Sequence, residues 1–346
     1  MAEELNERSQ NILEAIVEDY ISSAEPVGSR AITKRHSFNL SPASVRNVMS
    51  DLEDMGFLCS PHTSAGRIPT EKGFHYYIDS LLQVRDLSKA EESKLRQNYR
   101  FKGMKMEDIM QEVGRVMSGL SKYTGLVMAP KFASTVFRQI EFIRLSHGRV
   151  LVVYVSETGL VQNKVIEGAP ELGQRELEQI SNYLNHELTG MCIHDVREKI
   201  SRELQDERSR YDQLQKQALS LSSVALQEEA EDLVFVSGTS LMLDQPEFST
   251  PDQMKRIIKA LESKSTLIKL LDRSQSAQGV QIFIGSQSQQ TDLEGCSLIT
   301  SNFSNKKGAI GTLGVIGPVR MPYSDVIPIV DFTAQMVSRI LEREAE

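Results

Sequence analysis

With 346 residues, the chain is long enough for two or three domains, each with a core of its own. Its net charge of −8 excludes a protein that binds nucleic acid through bulk positive charge alone. Its three cysteines are odd in number and far apart, which excludes a disulfide framework and fits a reducing cytoplasm.

The start of the chain predicts no targeting segment. Residues 1–11 are acidic and polar, unlike a secretory signal peptide. No stretch approaches the roughly 20 consecutive apolar residues that a membrane-spanning helix needs. We therefore expect a cytoplasmic protein that makes no membrane contact.

Two predicted helices open the chain. Apolar residues recur at helical spacing from Ile12 to Ile21, and Pro26 ends this helix. A second, shorter helix is predicted to about Arg35, and a turn at residues 37–39 follows it. A short helix, a turn and a further helix is the spacing of a helix-turn-helix motif.

The third predicted helix carries the side chains of a DNA-reading element. Ser41 is a good N-cap, Pro42 suits the first helical position, and Gly56 supplies the stop. One face is apolar and the other is small, polar and basic, although an ordinary surface helix can show the same pattern. Arginine can read guanine, asparagine can read adenine, and serine can bind phosphate. The candidate DNA-binding residues here are Ser41, Pro42, Ser44, Arg46, Asn47 and Ser50.

The segment after this helix predicts a wing. Residues 57–58 favour a strand, and residues 60–68 favour a polar hairpin tip. Three residues of this hairpin are expected close to phosphate or to a groove edge: His62, Thr63 and Arg67. Three helices and a wing predict a winged helix-turn-helix domain over residues 1–84.

The rest of the chain mixes helical and strand patterns. Residues 85–105 predict a linker helix, residues 106–123 an amphipathic helix, and residues 136–166 three antiparallel strands. Further helical patterns cover residues 174–188, 194–227, 251–271 and 323–344, with strands between about 279 and 320. The fold class is therefore a multidomain α+β protein. We expect one α+β domain, residues 106–190 and 270–346, interrupted by an insert at residues 191–269.

No motif predicts a catalytic, metal or cofactor site. The glycine series from Gly308 to Gly317 lacks the Lys-Ser/Thr of a phosphate-binding loop and predicts a turn that enters an inner strand. His186, Cys192 and His194 are metal ligands by type, but their spacing matches no standard zinc pattern. No nucleophile with its base stands out. We expect no enzyme activity and no cofactor.

Three segments carry a resemblance to a known family. The first runs unbroken from Ser41 to Leu81, and its most distinctive part is PHTSAGRIPT. The other two are VSGTSLMLDQPEF at residues 236–248 and GAIGTLGVIGPVRMPYSDVI at residues 308–327. Together they resemble the HrcA family, heat-inducible repressors of bacterial chaperone operons, and the resemblance covers essentially the whole chain.

The resemblance implies more than the residue patterns do. It implies that the interrupted domain is GAF-like and that its insert is a dimerising domain. It also implies a homodimer that binds the inverted-repeat operator of chaperone operons as double-stranded DNA. The family further implies control by the GroEL chaperonin, which keeps the repressor active until stress draws the chaperonin away.

Two other functions remain open from the sequence. In one, the middle domain binds a metabolite that switches the affinity for DNA. In the other, the chain is an enzyme on a GAF-like fold, and the winged helix serves only protein contacts. Ligand-induced stabilisation would favour the first alternative, and operator affinity that does not depend on Arg46 and Asn47 would favour the second.

Overall fold

The computed structural model describes residues 5–36, 38, 40–62, 66–98, 106–129, 136–146, 148–157, 161–167, 172–193, 195–196, 198–200, 221–223, 234–275, 279–285, 293, 295–304 and 310–344. Over these residues the protein is a mixed α+β structure with several β-sheets. None of the helices in this part of the chain is long and apolar enough to cross a membrane.

The labelled elements follow in chain order. The helices are α1 (Glu7–Ser23), α2 (Ser29–Arg35), α3 (Pro42–Asp54), α4 (Glu71–Tyr76), α5 (Lys89–Asn98), α6 (Met106–Ser121), α7 (Gln174–Leu188), α8 (Thr239–Leu243), α9 (Pro251–Glu262), α10 (Lys264–Gln275) and α11 (Tyr323–Glu344). The strands are β1 (Leu58–Cys59), β2 (Ile68–Pro69), β3 (Thr124–Met128), β4 (Phe137–Arg144), β5 (Val150–Ser156), β6 (Val161–Ile166), β7 (Val234–Ser237), β8 (Val280–Ile284), β9 (Cys296–Ser304) and β10 (Ile310–Pro318). A π-helical turn, Tyr77–Leu81, continues α4, and a 3₁₀ turn, Pro246–Phe248, precedes α9.

Residues 5–81, which we call the N-terminal unit, contain the four helices α1 to α4, the π-helical turn and a two-stranded hairpin. The predicted start of α3 is confirmed, because the Ser41 side chain accepts a hydrogen bond from the Ser44 N–H and Pro42 occupies the first turn. Gly56 ends the helix with a φ of +78°, a conformation that favours glycine. The core of the unit is apolar: Ile12, Ile16, Ile32, Val45 and Leu52 are fully buried.

The hairpin after α3 is tied to the chain that precedes α2. β1 and β2 pair antiparallel, with Leu58 opposite Pro69 and Cys59 opposite Ile68. Arg67 and Val27 then exchange two backbone hydrogen bonds of 2.9 Å. A Cβ on the adjacent Gly66 would collide with the Val27 carbonyl oxygen, so this close approach requires glycine. Residues 63–65 of the hairpin tip predicted over residues 60–68 lie outside the described residues.

A five-stranded antiparallel sheet, in the order β7-β3-β10-β9-β8, forms the centre of what we call the body, residues 106–129 and 234–344. Helices α6 and α11 contribute to the hydrophobic core on this sheet. Of the glycines predicted in a turn that enters an inner strand, Gly311, Gly314 and Gly317 lie instead within the inner strand β10, and Gly308 lies outside the described residues. At Gly314 a Cβ would meet the Ile299 carbonyl oxygen at 2.5 Å, and at Gly311 it would meet the Phe303 ring. The glycines therefore serve close packing in a central strand.

The three strands β4, β5 and β6 form a sheet of their own. The sequence predicts them in the interrupted sheet, within residues 106–190, and strand pairing corrects this assignment. They pack on α7 in a separate hydrophobic cluster, and the Asn185 side chain of α7 bonds both the N–H and the carbonyl of Ile140 in β4. The interruption of the five-stranded sheet thus begins after β3 and ends before β7.

Two helical predictions have different outcomes. The helix predicted over residues 251–271 is two helices, α9 and α10, because the chain leaves helical geometry at Ser263. The helix predicted over residues 194–227 lies almost entirely outside the described residues.

An ion pair fastens the hairpin to α3. Arg67 Nη2 lies 2.7 Å from Glu53 Oε2, and Arg67 Nη1 donates to Ser60 Oγ at 3.3 Å. Cys59 lies beside this pair, and its thiol pKa is raised by burial and by the Glu53 carboxylate, while Arg67 opposes the rise. We call the Arg67–Glu53 ion pair the brace. The pKa of the Cys59 thiol therefore depends on the charges of the two residues of the brace.

We expect Glu53→Gln to lower the pKa of the Cys59 thiol. The substitution removes a negative charge that raises this pKa and leaves the Arg67 charge unopposed. Site-resolved mass spectrometry of iodoacetamide labelling across pH measures the change. Glu25→Gln, the same charge change at an exposed position of the N-terminal unit, is the control. Identical Cys59 titration curves in the two variants would show that the brace does not form.

Candidate nucleic-acid interface

Helix α3 separates its side chains cleanly into a buried face and an open face. Val45, Val48, Met49 and Leu52 point into the core of the N-terminal unit and are at most 7% exposed. The opposite face is exposed at Ser41, Pro42, Ala43, Arg46, Asn47 and Ser50. The buried residues anchor the helix in this orientation. The helix therefore cannot rotate about its axis to hide the polar side chains.

Two of the predicted DNA-binding serines are occupied in capping the helix. Ser41 Oγ accepts from the Ser44 N–H at 3.1 Å and lies 3.1 Å from Ser44 Oγ. Ser44 is half-buried, whereas Ser41 is exposed. The first backbone N–H groups of a helix point outward and attract anions. In α3, Pro42 has no N–H and Ser41 already accepts from the Ser44 and Val45 N–H groups, so among the first four helical residues only the Ala43 N–H is left for an approaching phosphate.

Arg46 and Asn47 are the most available side chains of the candidate site. Both are exposed, and neither has a hydrogen bond or an ion pair with another residue in the described part of the chain. Ser50, one turn further along, is exposed in the same way. A guanidinium and a carboxamide can each make two hydrogen bonds to one base edge. These side chains are free to contact a base without breaking an internal bond.

The predicted wing residues are placed differently from one another. His62 is exposed, and its carbonyl accepts a hydrogen bond from Ser60 Oγ at 2.7 Å. Thr63 lies outside the described residues. The guanidinium of Arg67 is engaged by Glu53 and is only 25% exposed, so it holds the hairpin on α3. Contact of this side chain with DNA stays a prediction.

Helix α2 carries further basic side chains. Arg30 and Lys34 are exposed on α2. Arg35 instead pairs at 3.0 Å with Asp19 of α1, and His36 lies 3.4 Å from the same carboxylate. This clamp between α1 and α2 leaves Arg30 and Lys34 as further candidates for phosphate contact.

The structure offers little for a metal at the histidines singled out in the sequence. No group of three or more His, Cys, Asp and Glu side chains comes together among the described residues. His186 Nδ1 lies 3.4 Å from Glu187 Oε1, and His194 is not among the described residues.

A cavity of about 540 Å³ lies between the N-terminal unit and the body. Tyr20, Glu71 and Phe74 line it from the N-terminal unit. Phe248, Arg256 and Arg320 line it from the body. Its volume falls within the range of small-molecule sites, and such sites often lie between domains.

Comparison with known proteins places the chain in a family. A family model described as the HrcA protein C-terminal domain matches residues 107–327. The heat-inducible transcription repressor HrcA of Geobacter sulfurreducens is 49% identical over 341 residues, 99% of each chain. The protein of the same name from Syntrophobacter fumaroxidans is 42% identical over 345 residues, again 99% of each chain. A crystal structure of a protein described as hypothetical shares the fold, with a TM-score of 0.64 at 21% identity over 99% of this chain and 100% of that one. The chain therefore belongs to the HrcA family, whose named members are heat-inducible transcription repressors.

Proposed function

We propose that the protein is a dimeric, sequence-specific repressor that binds an inverted-repeat operator of heat-shock chaperone operons. In this proposal the N-terminal unit is a winged-helix domain and α3 is its recognition helix. The observation that carries the proposal is the anchored α3, which presents Arg46 and Asn47 unpaired and exposed. The names of the HrcA relatives support the repressor role.

Recognition would combine base reading with phosphate contact. Helix α3 enters the major groove, where Arg46 reads guanine and Asn47 reads adenine. Ser41, Pro42, Ser44 and Ser50 lie along the same helix and contact the backbone or fix the approach. His62, Thr63 and Arg67 of the wing then lie close to the flanking phosphates or the minor groove.

The charge of the protein favours a dimer that reads bases. At a net charge of −8, one N-terminal unit gains little from bulk electrostatic attraction. Two units joined by a two-fold axis bind two half-sites at once, which raises affinity without added positive charge. A two-fold dimer also matches the symmetry of an inverted repeat.

We infer that the dimer forms through the open face of the β4-β5-β6 sheet. On this face Ile143 pairs across to Leu151 and then to Val165, and Val155 pairs to Val161. Three of these side chains are unusually exposed for large apolar residues: Ile143 (39%), Val161 (53%) and Val165 (46%). A second copy of the chain would cover this apolar patch.

The five-stranded sheet with α6 and α11 fits the GAF-like domain that the family resemblance implies. The same resemblance supports a cytoplasmic location and control by the GroEL chaperonin. A repressor of marginal stability suits such control, because a small free-energy change then shifts the population that can bind DNA.

The cavity favours a second candidate function, a repressor gated by a small ligand. Tyr20, Phe74 and Phe248 give it apolar walls. Arg256 is exposed and has no ion-pair partner among the described residues. This combination suits an aromatic carboxylate. A ligand held there would touch the N-terminal unit and the body together.

Replacement of Arg46 or Asn47 by alanine should weaken specific binding by about 1–3 kcal/mol each, the range of one bidentate base contact. Non-specific binding should change less, since the phosphate contacts remain. Fluorescence anisotropy with the chaperone-operon inverted repeat and a scrambled duplex, at fixed salt, measures both. Arg175→Ala on the exposed surface of α7 is the matched control. Unchanged operator affinity in the Arg46 and Asn47 variants would refute the assignment of α3.

Val165→Asp should shift the protein from dimer to monomer. A carboxylate at this position would lose its hydration in the apolar contact. Analytical ultracentrifugation measures the state, with Asn182→Asp on the exposed surface of α7 as the charge-matched control. A Val165→Asp variant that dimerises as strongly as the control would exclude this face as the interface.

If the cavity is a ligand site, phenylacetate should raise the melting temperature saturably, and neutral phenylacetamide should do so far less. The effect should disappear in Arg256→Gln and persist in Lys255→Gln, the exposed neighbour that does not line the cavity. Differential scanning fluorimetry measures it. Equal shifts in both variants, or a shift in neither, would count against an aromatic carboxylate site.

A further inference from the structure

The N-terminal unit and the body share an apolar contact, which we call the seam. Phe74 of α4 is buried between Tyr20 of α1, at a ring-centroid distance of 6.3 Å, and Tyr323 of α11, at 6.4 Å. The Tyr323 hydroxyl donates to the Val319 carbonyl at 2.7 Å, which fixes the ring within the body. The Glu71 side chain also packs against the backbone at Gly285. The two parts therefore meet through fixed side chains on both sides.

Arg320 ties the body to the end of α1. Its guanidinium is held by both carboxylate oxygens of Glu247 and donates to Gln245 Oε1 at 3.2 Å. It also donates to the Ile21 carbonyl at 3.3 Å. Ile21 lies in the last turn of α1, where carbonyls lack helical partners and the helix dipole favours a cation. One side chain, 13% exposed, thus bridges three elements.

A second ionic contact joins the segment after α4 to α11. Arg85, in the segment after the π-helical turn, donates through Nε to Asp325 Oδ1 at 2.6 Å, in the first turn of α11. Its two Nη atoms bind Glu91 at 2.8 and 2.9 Å. These bonds and those from Ser88 lower the pKa of Glu91 to about 2, so Glu91 stays ionised at neutral pH. The exit of the N-terminal unit is therefore held to the body as well.

The seam leaves the outer face of α3 open, since Arg46 and Asn47 remain exposed in the docked arrangement. Docking therefore does not block DNA and instead gives α3 a fixed direction relative to the body. In a dimer joined through residues outside the N-terminal unit, this direction sets the separation of the two recognition helices. That separation must match the half-site spacing.

We propose that Arg320 is a positioning residue that fixes the N-terminal unit on the body, and that this seam determines which operator spacer length the dimer accepts. The inference rests on the proposed function, because it needs two half-sites read by one dimer. Arginine suits the role, because its planar fork can bind a carboxylate, an amide and a carbonyl together, whereas lysine has a single point of charge.

The test compares Arg320→Gln with Arg175→Gln, which removes the same charge from the exposed surface of α7. Each full-length variant is titrated with operators whose spacer is native, or one or two base pairs longer or shorter. Each added base pair turns one half-site by about 35° around the duplex axis. Wild type and Arg175→Gln should lose about tenfold or more in affinity with each altered spacer.

Arg320→Gln should show a flattened profile, with a smaller penalty for altered spacers and unchanged affinity for a duplex that carries one half-site. Glu247→Gln, which keeps the shape of the side chain but weakens the ionic bond, should flatten the profile too. A wild-type spacer profile in both variants would overturn the proposal. Loss of single-half-site affinity would overturn it as well, because it would mean that the N-terminal unit itself is damaged.

A measurement without DNA separates this inference from the proposed function. Spin labels on a Ser50→Cys variant, at an exposed position and with the native cysteines changed to serine, report the distance between the two α3 helices of a dimer. The distance distribution should be narrow in the otherwise wild-type chain and broad with Arg320→Gln. Equal widths would overturn the inference. If wild type binds operator and scrambled duplexes equally, the proposed function fails. The label distances still test whether Arg320 fixes the N-terminal unit on the body.

Discussion

Burial of one face of α3 is the constraint on which the rest of the structure depends. Val45 and Leu52 are wholly buried within the N-terminal unit, and truncation of a buried leucine such as Leu52 to alanine typically costs about 2–5 kcal/mol. That anchoring decides which side chains of α3 face solvent. It also frees Arg46 and Asn47 for contacts outside the chain, because the packing of the unit does not need them.

The N-terminal unit also depends on ion pairs that hold its elements together. The Arg67–Glu53 pair holds the hairpin on α3, and the Arg35–Asp19 pair holds α2 on α1. Ion pairs that solvent reaches add little stability, and each of these pairs has at least one partly exposed member, so their value is geometric. Arg320 does the same across the seam, where partial burial and several acceptors make its position more definite. Charged side chains thus divide into those that hold the structure and those left for a partner.

Capping residues and hydrophobic patterns made the bounds of α3 and the positions of many strands predictable from the sequence. The Ser41 cap, the proline after it and the Gly56 stop defined α3, and alternating patterns located the strands. The sheet to which β4, β5 and β6 belong was not predictable, because an alternating pattern describes a half-buried strand and not its partners. Arg67 could not be recognised as a brace, nor Arg320 as a bridge. Their partners, Glu53 and Glu247, lie 14 and 73 residues away, and no periodicity links residues at such separations.

The most direct measurement of the central claim is the affinity of the full-length protein for an intact chaperone-operon inverted repeat. The comparison is the same duplex with both half-sites scrambled, at one salt concentration, with and without chaperonin. An anchored α3 that reads bases predicts binding to the intact repeat tighter by about a thousandfold or more. Equal affinity for the two duplexes, with chaperonin present as well as absent, would contradict the account.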